Sequence, residues 1–93
     1  MRADGEVMGA LWKNTGDRLQ QLLEVKQVLF LRQAPEADRR RLEAYITLLK
    51  GRKKYEALII KYQHWSDDQL IKRRNQLVFD VQLRLDVYLL KWN

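Results

Sequence analysis

Cysteine is absent from this 93-residue chain, and proline and histidine occur once each, as Pro35 and His64. Without cysteine there are no disulfides, thiolate metal sites or cysteine nucleophiles, a composition that suits a reducing compartment. A single imidazole is a poor start for a zinc site. Serine also occurs once, as Ser66, and Thr15 and Thr47 have no base beside them in the sequence. Nucleophilic catalysis therefore lacks a constellation. Glycine is scarce, and the 42 residues after Gly51 contain neither glycine nor proline. Multi-stranded sheets need turn residues between their strands, so this stretch argues against one.

Long apolar runs are missing too. The longest are the four-residue segments Val28–Leu31 and Ala57–Ile60, whereas a membrane-crossing helix needs about 20 residues. Met1–Glu6 carries acidic residues and leads into no apolar h-region, so no secretory leader is expected. Gly-rich phosphate loops, dinucleotide fingerprints and EF-hand loops are absent. The expectation is a cytoplasmic, non-enzymatic protein with no cofactor, metal, small-molecule substrate or membrane contact.

What the chain does hold is charge and helical periodicity. It has 18 basic and 12 acidic residues, a net charge of +6. Residues 35–65 hold eight basic side chains against four acidic ones, so the excess sits in the middle third. Such a bias favours anionic partners, although it is also common on solvated helices.

Leu19, Leu22, Leu23, Leu29 and Phe30 recur at helical spacing and predict a first helix over 17–33. Thr15 or Asp17 is the expected cap. Val7, Met8, Leu11 and Trp12 suggest a short extension over 7–14, and residues 1–16 are expected to be frayed or ordered only by a partner. Ala34-Pro35-Glu36 is a break-and-restart signal, since proline disfavours helix before itself and suits the first turn after it. A second helix is predicted over about 35–64, interrupted or bent at Gly51 if anywhere. Ser66-Asp67-Asp68-Gln69 fits a capping box, with Trp65 and Leu70 at the two positions of a hydrophobic staple. A third helix over about 67–91 follows.

Leu48, Tyr55 and Tyr62 repeat every seven residues, as do Ile71, Val78, Leu85 and Trp92. Folding the chain at Ser66 aligns Tyr62 with Ile71, Tyr55 with Val78 and Leu48 with Leu85. This predicts one all-α domain of three helices, dominated by a long antiparallel hairpin with coiled-coil-like packing and an N-terminal helix laid on it. Residues 79–89 also alternate with the period of a strand. Helix is preferred, because no second alternating segment is joined to them by a turn.

If residues 79–89 are helical, Phe79, Leu83, Val87 and Leu90 fall on a second apolar side that this short chain must bury against something else. Self-association, most simply a dimer, or a helical protein partner follows. Arg74, an arginine inside an apolar stripe, is a further candidate for partner contact. The alternative is a nucleic-acid-binding protein that touches phosphates through Lys50, Arg52, Lys53, Lys54, Lys61, Lys72 and Arg73. Asp67 and Asp68 are explained by capping. His64 suits the dipole at a helix end, and Tyr55, Tyr62, Trp65, Tyr88 and Trp92 suit a core better than a ligand box.

Overall fold

The computed structural model describes the backbone of residues 2–92 and the side chains of residues 13–90, and among these it is helical with no strand. Four helices follow in order: α1, Arg2–Gln33; α2, Glu36–Lys50; α3, Arg52–Tyr62; and α4, Asp67–Trp92. Residues 79–89 are helical, so their alternation reflects an apolar second side and not a strand.

The long axis of the molecule, 51 Å, is set by α1, whose 32 residues span roughly 48 Å at the helical rise. The expected boundary at Thr15-Gly16-Asp17 is not used, and α1 runs through it without a break. Thr15 is buried at 2% exposure, so it serves the helix interior and not a cap. A glycine at position 16 costs a helix about 1 kcal/mol, which neighbouring packing offsets. The side chains of Val7, Met8, Leu11, Trp12 and Trp92 lie outside the described residues.

At Pro35 the sequence expectation holds. The amide of Ala34 closes α1 on the carbonyl of Phe30, and Pro35 offers its carbonyl to the amide of Arg39 to open α2. Glu36 and Asp38 occupy the first turn, where the helix dipole favours negative charge.

The predicted helix over 35–64 is interrupted at Gly51, the one position where a break is expected, and the break is a full reversal where a bend would have kept one rod. The Gly51 backbone sits at φ 90° and ψ 154°, a conformation that residues with a Cβ rarely adopt. The amide of Gly51 bonds to Thr47 O and its carbonyl receives the amide of Tyr55. The chain thus reverses within one residue, giving two short antiparallel helices in place of one long one. The physical reason is burial. Ile46 on α2 and Leu58 and Tyr62 on α3 are all buried, and a straight rod would leave the flank of α1 that they cover facing water.

The corner before α4 forms as the sequence predicts. Ser66 Oγ accepts from the amide of Gln69 at 3.1 Å, and Gln69 Oε1 accepts from the amide of Ser66 at 2.8 Å. Leu70 is fully buried, and Trp65 packs against the same core. The direction taken after the corner differs from the prediction. α4 lies antiparallel along α1 and not back along α3, so the pairs Tyr62/Ile71, Tyr55/Val78 and Leu48/Leu85 are not assembled. Leu48 is 84% exposed.

The antiparallel register is marked by Arg18 against Asp80, Gln21 against Arg73 and Arg32 against Asp67. Thr15, Arg18, Leu22, Val25, Leu29 and Arg32 step along α1 by alternate threes and fours, as Leu70, Arg74, Leu77, Val81, Arg84 and Tyr88 do along α4. That spacing keeps two helices in contact over several turns. One core joins Val25, Val28, Leu29, Leu58, Tyr62, Leu70 and Leu77. It lies toward the C-terminal end of α1, where the α2–α3 hairpin covers the side that α4 leaves open.

Candidate interaction surfaces

Because α4 turns Leu70, Leu77 and Val81 toward α1, helical geometry places Phe79, Leu83 and Leu90 on the opposite side and Val87 on its flank. Their exposures are 72%, 52%, 75% and 37% in the order Phe79, Leu83, Leu90, Val87. The stripe predicted from the sequence is therefore present, continuous over three turns and uncovered in this chain. Val78 and Leu89 extend the open apolar surface to one side.

Of the polar frame that holds this part of α4 in place, the i, i+4 pair of Asp80 and Arg84 is legible in the sequence and the contact with Arg18 is not. Asp80 accepts from Arg18 Nε at 2.8 Å and from Arg84 Nε at 3.2 Å. Its partial burial alone would raise its pKa, but the two guanidiniums hold the carboxyl below its ordinary value. The network pins α4 to α1 and fixes which side faces out. Gln82 and Asp86 are joined to each other at 3.0 Å. Between Phe79 and Leu90 the charged residues are Asp80, Arg84 and Asp86, so this segment lacks the positive excess of the chain.

Arg74 falls with Leu70, Leu77 and Val81 on the α1-facing side, half-buried, and its Nε reaches Asn75 Oδ1 at 3.4 Å. The structure does not bring it to the outer stripe.

Arg32, which the sequence reading passed over, ties the corner together. Its Nη2 donates to the carbonyl of Tyr62 at 2.8 Å, and its Nη1 donates to the carbonyl of Trp65 and to Asp67 Oδ1. One planar guanidinium thus satisfies the end of α3 and the start of α4. The only hint in the sequence was a basic residue in the last turn of α1.

The cations of the nucleic-acid alternative do not share one face. Lys50, Lys54 and Lys61 line a hollow of about 330 Å³ with Glu24 and Gln20. Lys72 and Arg73 line another, beside His64 and Trp65. Arg52 pairs with Glu56 at 3.3 Å, and Arg73 donates to Gln21 at 2.8 Å. The first turn of α3 contains no acid, and Arg52, Lys53 and Lys54 set positive charge against the positive end of its dipole.

Glu24 accepts from Lys61 Nζ at 2.9 Å and from the Tyr62 hydroxyl at 2.8 Å. Burial would raise its pKa, but these bonds and the charges of Lys61 and Lys50 outweigh that and lower it. Tyr62 is pushed well above the ordinary tyrosine value, first by burial and then by Glu24. Tyr62 and Trp65 meet edge to face at 5.3 Å. These aromatic rings close the core and do not form a ligand box with Tyr55, whose environment is Glu43 and Arg39.

Among the described residues no group of three or more histidine, aspartate or glutamate side chains is placed to hold a metal ion. Asp67 belongs to the corner through Arg32, and His64 is exposed. No protein-family model, curated protein or solved structure matches this chain.

Proposed function

We propose that this chain is a non-enzymatic helical interaction module that associates with a second copy of itself through the outer face of α4. The observation that carries the reading is the row Phe79, Leu83, Val87 and Leu90, open to water on the side turned away from α1. An apolar helix face loses free energy when removed from water, at roughly 25 cal/mol per Å². The row with its neighbours Val78 and Leu89 offers on the order of 500 Å² of apolar surface, near the upper end of what a monomer leaves open. Two such faces buried together reach the lower size range of specific interfaces, which suits a reversible dimer forming at about micromolar concentration.

Charge supports a second copy as the occupant and selects an antiparallel arrangement. The molecule carries +6 overall, so two copies repel, but the segment from Phe79 to Leu90 carries two acids and one base. Approach along this segment avoids the repulsion met elsewhere. Antiparallel pairing sets Phe79 near Leu90 of the second copy and Leu83 near its Val87. It also keeps the Lys72-Arg73-Arg74 clusters roughly 35 Å apart along the axis, several screening lengths at physiological salt. Parallel pairing would stack those clusters side by side.

Sedimentation equilibrium tests this. The mass is expected to rise from 11.2 kDa toward twice that value with concentration, and to do so equally at high salt, since apolar burial drives it. Phe79→Ser with Leu83→Ser should hold the chain monomeric with unchanged helicity. A wild-type chain that stays monomeric at the highest attainable concentration overturns the proposal, as does a dimer unaffected by the double variant.

A further inference from the structure

From Ala44 to Tyr55 the chain holds four basic residues, Lys50, Arg52, Lys53 and Lys54, and no acid. The same stretch holds three apolar or aromatic side chains that the fold leaves open. Leu48 is 84% exposed, Leu49 66% and Tyr45 62%. Gly51 places them together by reversing the chain, so that Leu48, Leu49 and Lys50 end α2 and Arg52, Lys53 and Lys54 begin α3. Leu48 and Arg52 line one hollow of the hairpin, and Lys50 and Lys54 line the hollow on the side toward α1. Leu48 and Arg52 share the first hollow with Glu43 and Glu56, so the acids stand behind the turn while the stretch 44–55 that forms its tip carries none. Lys50, Lys53 and Lys54 form no ion pair among the described residues.

We infer that the α2–α3 turn attaches this protein to the surface of an anionic lipid bilayer, with Leu48 and Leu49 entering the headgroup–acyl boundary and Lys50, Arg52, Lys53 and Lys54 meeting lipid phosphates. No helix among the described residues is long and apolar enough to cross a membrane; the expectation of no membrane contact rests on that missing span, which bears on crossing and not on attachment to a surface. Reversible attachment commonly combines two signals, apolar insertion and a polybasic patch, and here both sit within seven consecutive residues, Leu48 to Lys54. Nucleic acid accounts for less of the geometry. A phosphodiester backbone would engage the cations but leaves two open leucines without a role. The turn is also separate from the outer face of α4, so this attachment does not depend on self-association.

Vesicle co-sedimentation tests the inference with the full chain at low salt. The vesicles are phosphatidylcholine alone, or phosphatidylcholine with about one-third phosphatidylglycerol to supply the surface potential. The wild type is expected to sediment with the anionic vesicles and to remain largely free with the neutral ones. Each cation near an anionic leaflet strengthens attachment about fivefold, so Lys50→Gln with Lys53→Gln and Lys54→Gln should weaken it on the order of a hundredfold. Leu48→Ser with Leu49→Ser should weaken it at least about tenfold through lost apolar burial. Circular dichroism checks that both variants keep the helicity of the wild type.

Because the chain lacks cysteine, Leu48→Cys can also carry a single environment-sensitive fluorophore. Its emission should shift to the blue on anionic vesicles, while the same label at Asp38→Cys should not shift. A wild type that ignores anionic vesicles overturns the inference, as does equal binding to neutral ones. A leucine variant that binds as the wild type does also overturns it. If that variant retains binding to a single-stranded oligonucleotide as well, the patch is assigned to phosphate polyanions and not to a bilayer.

Discussion

Replacing Gly51 with alanine separates the observed hairpin from a continuous second helix by the sign of its effect. In the structure Gly51 stands at φ 90° and ψ 154° with nothing within 4 Å of the position a Cβ would occupy. The cost of Gly51→Ala is therefore backbone strain without collision, about 1–3 kcal/mol for a non-glycine residue in such a region. Were residues 35–64 one helix, the same change would stabilise it by about 1 kcal/mol through helix propensity. Gly16→Ala supplies the internal control, because Gly16 lies inside α1, also with open space around its Cβ position. That variant should gain about 1 kcal/mol. For a domain of this size 1 kcal/mol moves Tm by about 5 °C. Thermal and urea unfolding followed by helical circular dichroism should show Gly51→Ala shifted down by roughly 5–15 °C and Gly16→Ala shifted up. D-alanine at position 51, introduced by chemical ligation, should recover the loss, since its mirror-image preference matches a positive φ. If Gly51→Ala raises stability, the reversal at Gly51 is wrong, and the placement of every residue from α2 to α3 goes with it.

Three further outcomes follow from the core and the polar frame. Leu77→Ala removes a side chain that is 1% exposed between α1 and α4 and should cost about 2–5 kcal/mol in urea unfolding. Arg32→Met removes the side-chain donor to the carbonyls of Tyr62 and Trp65, leaving Tyr62 O with the Trp65 amide alone, and should cost about 1 kcal/mol. Arg32→Lys should recover only part of this, because one ammonium cannot span three acceptors. Asp80 and Glu24 have pKa values lowered by folding. Their contribution is fully present above the unfolded carboxylate values near pH 4 and is lost as pH falls through the folded ones. Tm should accordingly be flat from neutral pH to about pH 5 and drop below it, and Asp80→Asn should flatten part of that drop.

Local signals survived the passage from sequence to structure better than long-range ones. The capping box at Ser66 and Gln69, the staple residue Leu70 and the restart at Pro35 each depend on neighbours within a few positions, and each forms. The outer row on α4 was legible because a helix with two apolar sides shows both in its spacing. Pairing was not legible in the same way. The heptad recurrence of Leu48, Tyr55 and Tyr62 shows that a side is apolar, not which helix covers it. Two stripes in register across Ser66 therefore looked complementary, while the true mate of α4 was the similarly spaced side of α1. Gly51 marked where the second helix could break but not that the chain reverses there, since glycine inside a helix is tolerated, and its positive φ became compelling only with the burial of Ile46 and Leu58 on a common partner. Arg32 joins groups 30 to 35 residues away in the chain, and nothing in the local sequence announces such a contact.

A single cysteine on the outer side of α4 gives the most direct test of the proposed association. The wild-type chain has none, so Leu83→Cys and the control Glu36→Cys each carry one thiol. With a short bis-maleimide linker at equal concentration, Leu83→Cys is expected to become a covalent dimer much faster than Glu36→Cys, because antiparallel pairing centred near position 85 leaves position 83 of the two copies about one helical turn apart on a common seam. Equal rates at the two positions, or faster coupling at position 36, would contradict the account.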